Sequence, residues 1–163
     1  KILAQVNYVA WIRELDRVLD KATLHTAIDL LSRREHAVKE LVQKLAQRDY
    51  AREAIDEVIE FLIENNYLCE RRYTESLMRK RINKGYGRHY IYQELKQNGI
   101  ERYLAIEVAE NLEIDWYDLA QRTYYKRFGT TKIKDQKEKA KRIRFLQYRG
   151  FSSEEIMSTI EIN

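Results

Sequence analysis

The sequence predicts an all-α protein: an elongated tandem array of three three-helix repeats, helix-turn-helix-like in form, preceded by one extra helix. Three observations support this fold class. The 163 residues include no proline and only five glycines, and these two residue types are the main helix breakers. Apolar residues recur at helical spacing along most of the chain. One local pattern also recurs about every 50 residues, which is typical of repeat proteins.

The recurring pattern is a leucine, three further residues, a residue that tolerates a left-handed backbone, and a large apolar residue. It occupies segments 45–50, 95–100 and 146–151. Gly99 and Gly150 adopt a positive φ at little cost, so each can end a helix in a tight turn. Asp49 tolerates the same region less well. A second helical pattern follows each turn, with apolar positions at Ile55, Val58, Ile59 and Leu62, then Leu104, Val108 and Leu112, then Ile156 and Ile160.

A further helix precedes each of these pairs. We expect these helices over residues 22–31, 72–82 and 116–128, with Gly129 ending the last one. Their predicted inward side chains are Tyr73, Leu77 and Met78 in the second helix and Leu119, Ala120, Thr123 and Tyr124 in the third. Two capping boxes are predicted to start helices, one from Ser152 and Glu155 and one from Ser32 and Glu35.

The chain therefore divides into three repeats and an extension. The first, second and third repeats are predicted over residues 22–68, 69–113 and 114–163, and the extension over 1–21, with a helix at about 4–20. A repeat of this size buries little surface alone. Packing between neighbouring repeats must therefore supply much of the stability.

Charge is sorted along the chain. The net charge is +4, but residues 121–150 are strongly basic and residues 51–70 strongly acidic. The basic segment holds Arg122, Lys126, Arg127, Lys132, Lys134, Lys137, Lys139, Lys141, Arg142, Arg144 and Arg149 against Asp135 and Glu138. The acidic segment holds Glu53, Asp56, Glu57, Glu60, Glu64 and Glu70 against Arg52. Such segregation indicates an anionic partner at the basic end.

The remaining composition argues against several classes of protein. The single cysteine, Cys69, cannot form an internal disulfide, and no apolar run has the length of a membrane span, so we expect a reducing, cytoplasmic location. His25, His36 and His89 have no partner at metal-ligand spacing, and no phosphate-binding loop or nucleophile–base constellation is visible. We therefore expect no metal, no cofactor and no catalysis.

Several segments together resemble the RecX family. Lys84-Gly85-Tyr86-Gly87, followed by Ile91, Glu94-Leu95 and Gly99-Ile100, is similar to the central motif and is the most specific part. In the opening repeat, the residues similar to the family are Ser32, Glu40-Leu41 and Lys44-Leu45. At the first junction between repeats they are Asn66-Tyr67-Leu68 and Arg72-Tyr73. In the closing repeat they are Lys141, Arg144-Phe145-Leu146, Arg149-Gly150-Phe151 and Ile156. Asn66 stands where the family usually has glycine, and residues 1–20 match no part of it.

The resemblance implies a function that composition does not. RecX proteins regulate the RecA recombinase in DNA repair and the SOS response. They bind its filament on single-stranded DNA, in the filament groove, and restrain ATPase, strand exchange and co-protease activity. The implied partners are therefore the RecA filament and single-stranded DNA, with weaker binding to duplex DNA, and the chain is expected to be a monomer with no membrane contact.

Two segments are candidate contact surfaces. The first is Arg79, Lys80, Arg81 and the turn Lys84, Gly85, Tyr86, Gly87 and Arg88. Its glycines either let a partner approach the backbone or only connect two helices, with Gly85 as the stop. The second is Lys134, Lys137, Lys141 and Arg144, predicted to share one helix face, which either binds phosphates or acidic protein or is merely solvated.

Tyrosines interleaved with bases are typical of single-strand binding, where bases stack on rings. The candidates are Tyr86, Tyr90, Tyr92, Tyr124, Tyr125 and Tyr148, although most are expected in the core.

Two functions from different classes are compatible with these features. One is a filament-binding regulator that acts through the second and third repeats. The other is a helix-turn-helix transcriptional regulator, because helix, glycine-containing turn and helix is the outline of that motif. The helices after the first two turns carry Glu53, Asp56, Glu57 and Glu60, and Glu101, Glu107 and Glu110. Acidic faces repel phosphate, which makes these helices poor readers of a DNA groove.

Overall fold

The computed structural model describes residues 19–161, and this part of the chain is helical throughout, with no strand. Its nine helices are α1 (Lys21–Arg33), α2 (Val38–Ala46), α3 (Arg52–Glu64), α4 (Glu70–Asn83), α5 (Arg88–Gln97), α6 (Arg102–Asn111), α7 (Trp116–Phe128), α8 (Gln136–Tyr148) and α9 (Ser153–Glu161). The all-α prediction is confirmed. The predicted helix at about 4–20 falls almost entirely outside the described residues, and the elongation of the array stays a prediction.

The left-handed turns lie where the sequence predicts them. Gly99 and Gly150 have φ values of 81° and 90°, and Asp49 has 61°. The amide of Phe151 donates back to the carbonyl of Leu146 at 3.2 Å, so the helix closes as the chain reverses. Phe151 is 4% exposed, because the turn folds it back onto the core.

One predicted helix start is confirmed and one is wrong. The Ser152 amide donates to Glu155 Oε2 at 2.7 Å, and the Glu155 amide donates to Ser152 Oγ at 3.3 Å, which is a capping box. Ser32, in contrast, lies inside the last turn of α1 and donates its hydroxyl to the Asp29 carbonyl. The second helix instead begins after Ala37, which has no side-chain cap, and Glu35 pairs with Arg72 at 2.8 Å.

The described residues form two compact units, one ending at Tyr73 and one beginning at Thr74. In the first unit, α1, α2 and α3 pack against one another. Their core is formed by Leu24, Ala27, Leu30, Leu41, Leu45, Ile55, Val58, Ile59, Leu62 and Leu68.

The second unit begins within α4 and holds the rest of the second repeat and the third repeat. Helix α9 packs against both α7 and α8, and α5 packs against α6. The core of the third repeat is formed by Leu119, Ala120, Tyr124, Leu146, Phe151, Ile156 and Ile160. Tyr73, Met78 and Thr123 are buried as predicted, whereas Leu77 is only half-buried.

Candidate interaction surface of the second and third repeats

The glycine turn between α4 and α5 packs against the third repeat. Gly85 ends α4 with φ 76°, and a Cβ on it would lie 2.8 Å from Thr123 Oγ1. A Cβ on Gly87 would lie 2.5 Å from the carbonyl oxygen of Gly150. The Gly87 amide donates to the Arg149 carbonyl at 2.8 Å. The close backbone approach that these glycines allow is thus made within the chain, between the two repeats.

Two of the predicted contact arginines pair with carboxylates of this unit. Arg81 donates to both oxygens of Glu94 at 2.6 Å, and this hydrogen bond raises the pKa of Arg81. Arg88 donates through Nε to Glu155 Oε1 at 2.7 Å. Glu155 is fully buried, so the pair joins the start of α5 to the start of α9. These contacts give both guanidiniums a structural role in the second unit.

Tyr86 and Arg149 extend the same junction. The Tyr86 ring stacks on Tyr90 at 4.2 Å between centroids, and the Arg149 guanidinium lies 4.7 Å from the Tyr86 centroid. Arg149 Nη1 also donates to the Lys84 carbonyl at 2.7 Å. Cation–π contacts of this kind are stabilising, so the predicted contact residue Tyr86 also packs within the junction.

The other predicted contact residues of the second repeat remain on the surface. Lys80 and Lys84 are exposed. Arg79 is also exposed and forms a pair with Glu75 at 2.8 Å, one turn earlier on α4. Such exposed pairs hold a side chain only weakly, so Arg79 is available to an external anion.

Three of the four predicted bases in the third repeat do share an exposed helix face. Lys137, Lys141 and Arg144 lie on α8 at spacings of four and three residues and are all exposed. None of the three has an ion pair with another described residue. Lys134 is the exception, because it precedes the cap Asp135 and lies outside the helix. We refer to Lys137, Lys141 and Arg144 as the basic face.

Arg142 belongs to the basic segment in sequence, but it is buried, with 2% of its surface exposed. It donates to the Tyr124 hydroxyl at 2.5 Å and the Thr131 carbonyl at 2.8 Å, and it forms an ion pair with Glu138. The hydrogen bond from Arg142 lowers the pKa of Glu138. Arg142 therefore supports the fold of the third repeat and adds little to its surface charge.

The predicted tyrosines divide between core and surface. Tyr124 is fully buried, whereas Tyr148 is 83% exposed and Tyr90 and Tyr125 are each 37% exposed. Tyr92 is half-buried and meets Trp116 edge-on at 6.4 Å. Only the exposed rings are available to stack on bases.

The second unit also contains a cleft that the sequence did not predict. Its volume is about 390 Å³, and its walls come from the end of α4, from α7 and from the end of α8. Five cations line it: Lys84, Arg122, Lys126, Arg127 and Arg149. We call this feature the basic cleft. The clustering of bases on α7 was the available signal, but linear sequence could not place Lys84 and Arg149 beside them.

Residues 19–161 contain neither a membrane-spanning helix nor a metal-binding cluster. No helix in this range has the length and hydropathy needed to cross a membrane. No group of three or more His, Cys, Asp and Glu side chains there has an arrangement that could hold a metal ion. His36 lies in the core of the first unit with Nδ1 3.0 Å from the Arg34 carbonyl and Nε2 3.0 Å from Lys44 Nζ.

Comparison with known proteins agrees with this architecture. The nine described helices define a protein of tandem three-helix repeats. The family models for the first, second and third three-helix domains of RecX match residues 24–62, 70–108 and 113–160. The chain belongs to the RecX family. The predicted repeat boundaries themselves stay a prediction.

Relatives and solved structures span most of the chain. Regulatory protein RecX of Vibrio campbellii is 46% identical over 131 residues, which is 80% of this chain and 84% of the relative. Regulatory protein RecX of Pseudomonas entomophila is 40% identical over 144 residues, 87% of this chain and 93% of the relative. The crystal structure of RecX from Lactobacillus salivarius matches with a TM-score of 0.72 at 23% identity, covering 86% of this chain and 94% of that one.

Proposed function

We propose that this chain is a non-catalytic regulator of the RecA recombinase, one that binds the RecA filament on single-stranded DNA and restrains its ATPase, strand exchange and co-protease activity. It acts as a monomer in the cytoplasm, where its partner works. Family membership supports the choice of partner. The basic face supports the proposed mode of binding, because its three exposed cations on one side of α8 have no carboxylate partner in the described chain.

Charge on the surface supports a polymeric, anionic partner. Unpaired exposed cations repel one another, and an approaching polyanion relieves that repulsion and releases counterions. With Arg81, Arg88 and Arg142 in ion pairs, the basic face and the exposed lysines of the second repeat remain as the contact surface. Arg79, Lys80, Lys84 and Lys134 extend it in this proposal.

The acidic helices favour this proposal over a groove-reading transcriptional regulator. On α3, Glu53, Asp56, Glu57 and Glu60 are all exposed. On α6, Glu107 and Glu110 are exposed in the same way. A recognition helix enters the major groove between two phosphate backbones, and a carboxylate face there is repelled.

The test is the DNA-dependent ATPase of RecA on single-stranded DNA, measured over a concentration series of this chain. We expect the rate to fall as the chain is added. A triple reversal, Lys137→Glu, Lys141→Glu and Arg144→Glu, should shift the half-inhibitory concentration upward by tenfold or more, since six units of charge change at the contact (on the order of 1 kcal/mol or more in total).

The matched control is Arg33→Glu, Arg48→Glu and Arg52→Glu in the first repeat. These side chains are exposed, and their reversal changes the net charge by the same amount. The control should inhibit like the unaltered chain. Equal loss in both variants would mean that overall charge, and not the basic face, drives binding; no inhibition by the unaltered chain would reject the proposal itself.

A further inference from the structure

The connection between α1 and α2, residues 34–37, contains a buried histidine. His36 follows the end of α1 and precedes the start of α2, and only 2% of its surface is exposed. Its Nδ1 lies 3.0 Å from the Arg34 carbonyl oxygen, and its Nε2 lies 3.0 Å from Nζ of Lys44 on α2. Histidine changes its charge near neutral pH, so the protonation state of this ring bears on the connection.

The two contacts define that protonation state. A carbonyl oxygen only accepts hydrogen bonds, so Nδ1 carries the hydrogen and donates it to the Arg34 carbonyl. The ammonium group of Lys44 only donates, so Nε2 holds a lone pair and accepts. A protonated ring carries a hydrogen on both nitrogens and would direct the second one at Lys44 Nζ. The observed geometry therefore requires the neutral ring.

A proton on the ring would also meet cations in a buried place. Burial lowers the pKa of His36 most, and the Arg34 and Lys44 cations lower it further, whereas the hydrogen bond to the Arg34 carbonyl and the Glu40 carboxylate act in the opposite direction. Glu40 is already engaged, since it accepts from Arg34 at 2.9 Å and pairs with Lys44 at 3.0 Å. With a pKa of about 2, Glu40 stays ionised between pH 7 and pH 5, so its charge is constant while His36 titrates.

The helices around the connection contribute other charged groups. Tyr73 of α4 acts electrostatically on Arg34. Arg33, at the end of α1, pairs with Asp29 at 2.8 Å, and its side chain is 71% exposed. Among the residues described, Glu40 is the carboxylate that acts on His36. The surroundings of the ring are therefore poorly suited to a positive charge.

The connection also holds the start of α4. Glu35 pairs with Arg72 at 2.8 Å. Arg72 in turn donates to the Asn66 and Tyr67 carbonyls at 2.8 and 3.1 Å, in the segment between α3 and α4. Because Glu35 immediately precedes His36, displacing the histidine shifts Glu35 and weakens its tie to the first turn of α4.

Protonation and opening of the connection are linked. In an open connection the ring is hydrated and takes up a proton near its ordinary pKa of about 6.5, whereas the closed connection requires the neutral form. Below that pH the open state therefore binds more protons than the closed state, and the ratio of open to closed molecules rises by up to about tenfold for each further pH unit. The stabilisation from neutral His36 is complete above pH 6.5 and is lost as the pH falls.

From these contacts we propose that the α1–α2 connection is an acid-sensitive latch, in which a proton on His36 releases the connection from α2 and from the first turn of α4 while the rest of the first unit stays folded. The inference goes beyond the proposed function and does not rest on it, because the contact surface proposed there lies in the second and third repeats. The latch gives the first repeat a response to acidification.

The test is amide hydrogen exchange of the full chain, followed by NMR at pH 7 and pH 5.5 and corrected for the intrinsic pH dependence of exchange. Two amides report on the latch: that of Leu41, which donates to the Ala37 carbonyl at the start of α2, and that of Tyr73, which donates to the Cys69 carbonyl at the start of α4. Their opening constants should rise about tenfold on acidification. The Ile55 amide, at the start of α3, is the reference and should change by less than about twofold.

Two variants assign the effect to the ring. His36→Gln cannot take up a proton, but its amide oxygen can still accept a hydrogen bond from Lys44, so the rise at both reporter amides should be lost. His25→Gln, at an exposed position on α1, is the matched control and should retain the rise. A rise that persists in His36→Gln, or that is equal at the reference amide, would overturn the proposal, because another group or general acid unfolding would then be responsible.

A measurement on the unaltered chain keeps the test independent of how well His36→Gln folds. The NMR shifts of the ring nitrogens show which of them carries a hydrogen. At pH 7 they should place it on Nδ1 of His36, and the ring should titrate below its ordinary pKa of about 6.5. A ring protonated at pH 6 without faster exchange at Leu41 and Tyr73 would show that the closed connection accepts the proton, and the latch would be rejected.

Discussion

The buried ion pair between Arg88 and Glu155 should couple the second and third repeats energetically. Glu155 has no exposed surface, and the Arg88 side chain is 34% exposed. Removing the arginine with Arg88→Met leaves a buried carboxylate without its counterion, and such changes typically lower the free energy of unfolding by about 3–5 kcal/mol. Because Arg88 is partly hydrated, we expect the lower end, about 3 kcal/mol.

The double variant, Arg88→Met with Glu155→Gln, measures the coupling energy between the two residues. Glu155→Gln keeps an acceptor for the Ser152 amide, which donates to Glu155 Oε2 at 2.7 Å, and should cost about 1–2 kcal/mol. In the double variant no buried charge is left without its counterion, so its free energy of unfolding should fall by about 2 kcal/mol, less than the sum of the losses in the two single variants. The coupling energy should therefore be about 2 kcal/mol.

The assay is urea unfolding followed by the fluorescence of Trp116, in a Trp11→Phe background. The matched control is the pair Arg79 and Glu75, which has the same chemistry but side chains 62% and 43% exposed. Its coupling should be below about 0.5 kcal/mol. Additivity at Arg88 and Glu155 within about 0.5 kcal/mol would refute the reasoning, because the buried carboxylate would then not depend on its partner.

Three other predictions concern stability. Gly150→Ala should destabilise the second unit by about 3 kcal/mol, because the left-handed backbone costs an alanine about 1–2 kcal/mol and a Cβ would also lie 2.5 Å from the Tyr90 amide nitrogen. A loss in thermal melting equivalent to only about 1–2 kcal/mol, the left-handed strain alone, would contradict the packing of Gly150. Arg142→Lys should cost about 2 kcal/mol in urea unfolding, because an ammonium cannot reproduce the guanidinium's directed bonds; no change would show that those bonds are dispensable. In the first repeat, hydrogen bonding from Arg34 lowers the pKa of Glu40 from 4.5 to about 2, so the ionised Glu40 stabilises the fold above pH 4.5 and this contribution disappears as the pH falls toward 2. Glu40→Gln should therefore lower the free energy of unfolding by on the order of 1 kcal/mol at pH 7 after solvent screening, and by less at pH 3. An equal difference at both pH values would contradict the assignment.

Local features could be predicted from the sequence alone because local physics decides them. Helical periodicity located the three helices of each repeat, and α7 begins and ends at the predicted residues. The turns at Gly99 and Gly150 followed from the small cost of a left-handed backbone at glycine, and the turn at Asp49 followed from its place in the same repeated pattern. The false capping box at Ser32 shows the limit of such signals, since spacing alone does not say whether a helix has already ended.

The sequence by itself thus determined the helices, the turns, the repeat and the excess of bases in the third repeat. Only the tertiary structure decided which of those bases remain free. Arg81 and Glu94 are 13 residues apart, and Arg88 and Glu155 are 67 apart, so their neutralisation depends on how the helices pack. The basic cleft likewise exists only because folding brings Lys84 and Arg149 beside α7. Charge composition is a property of the chain, whereas the electrostatic surface that a partner meets depends on contacts between residues distant in sequence.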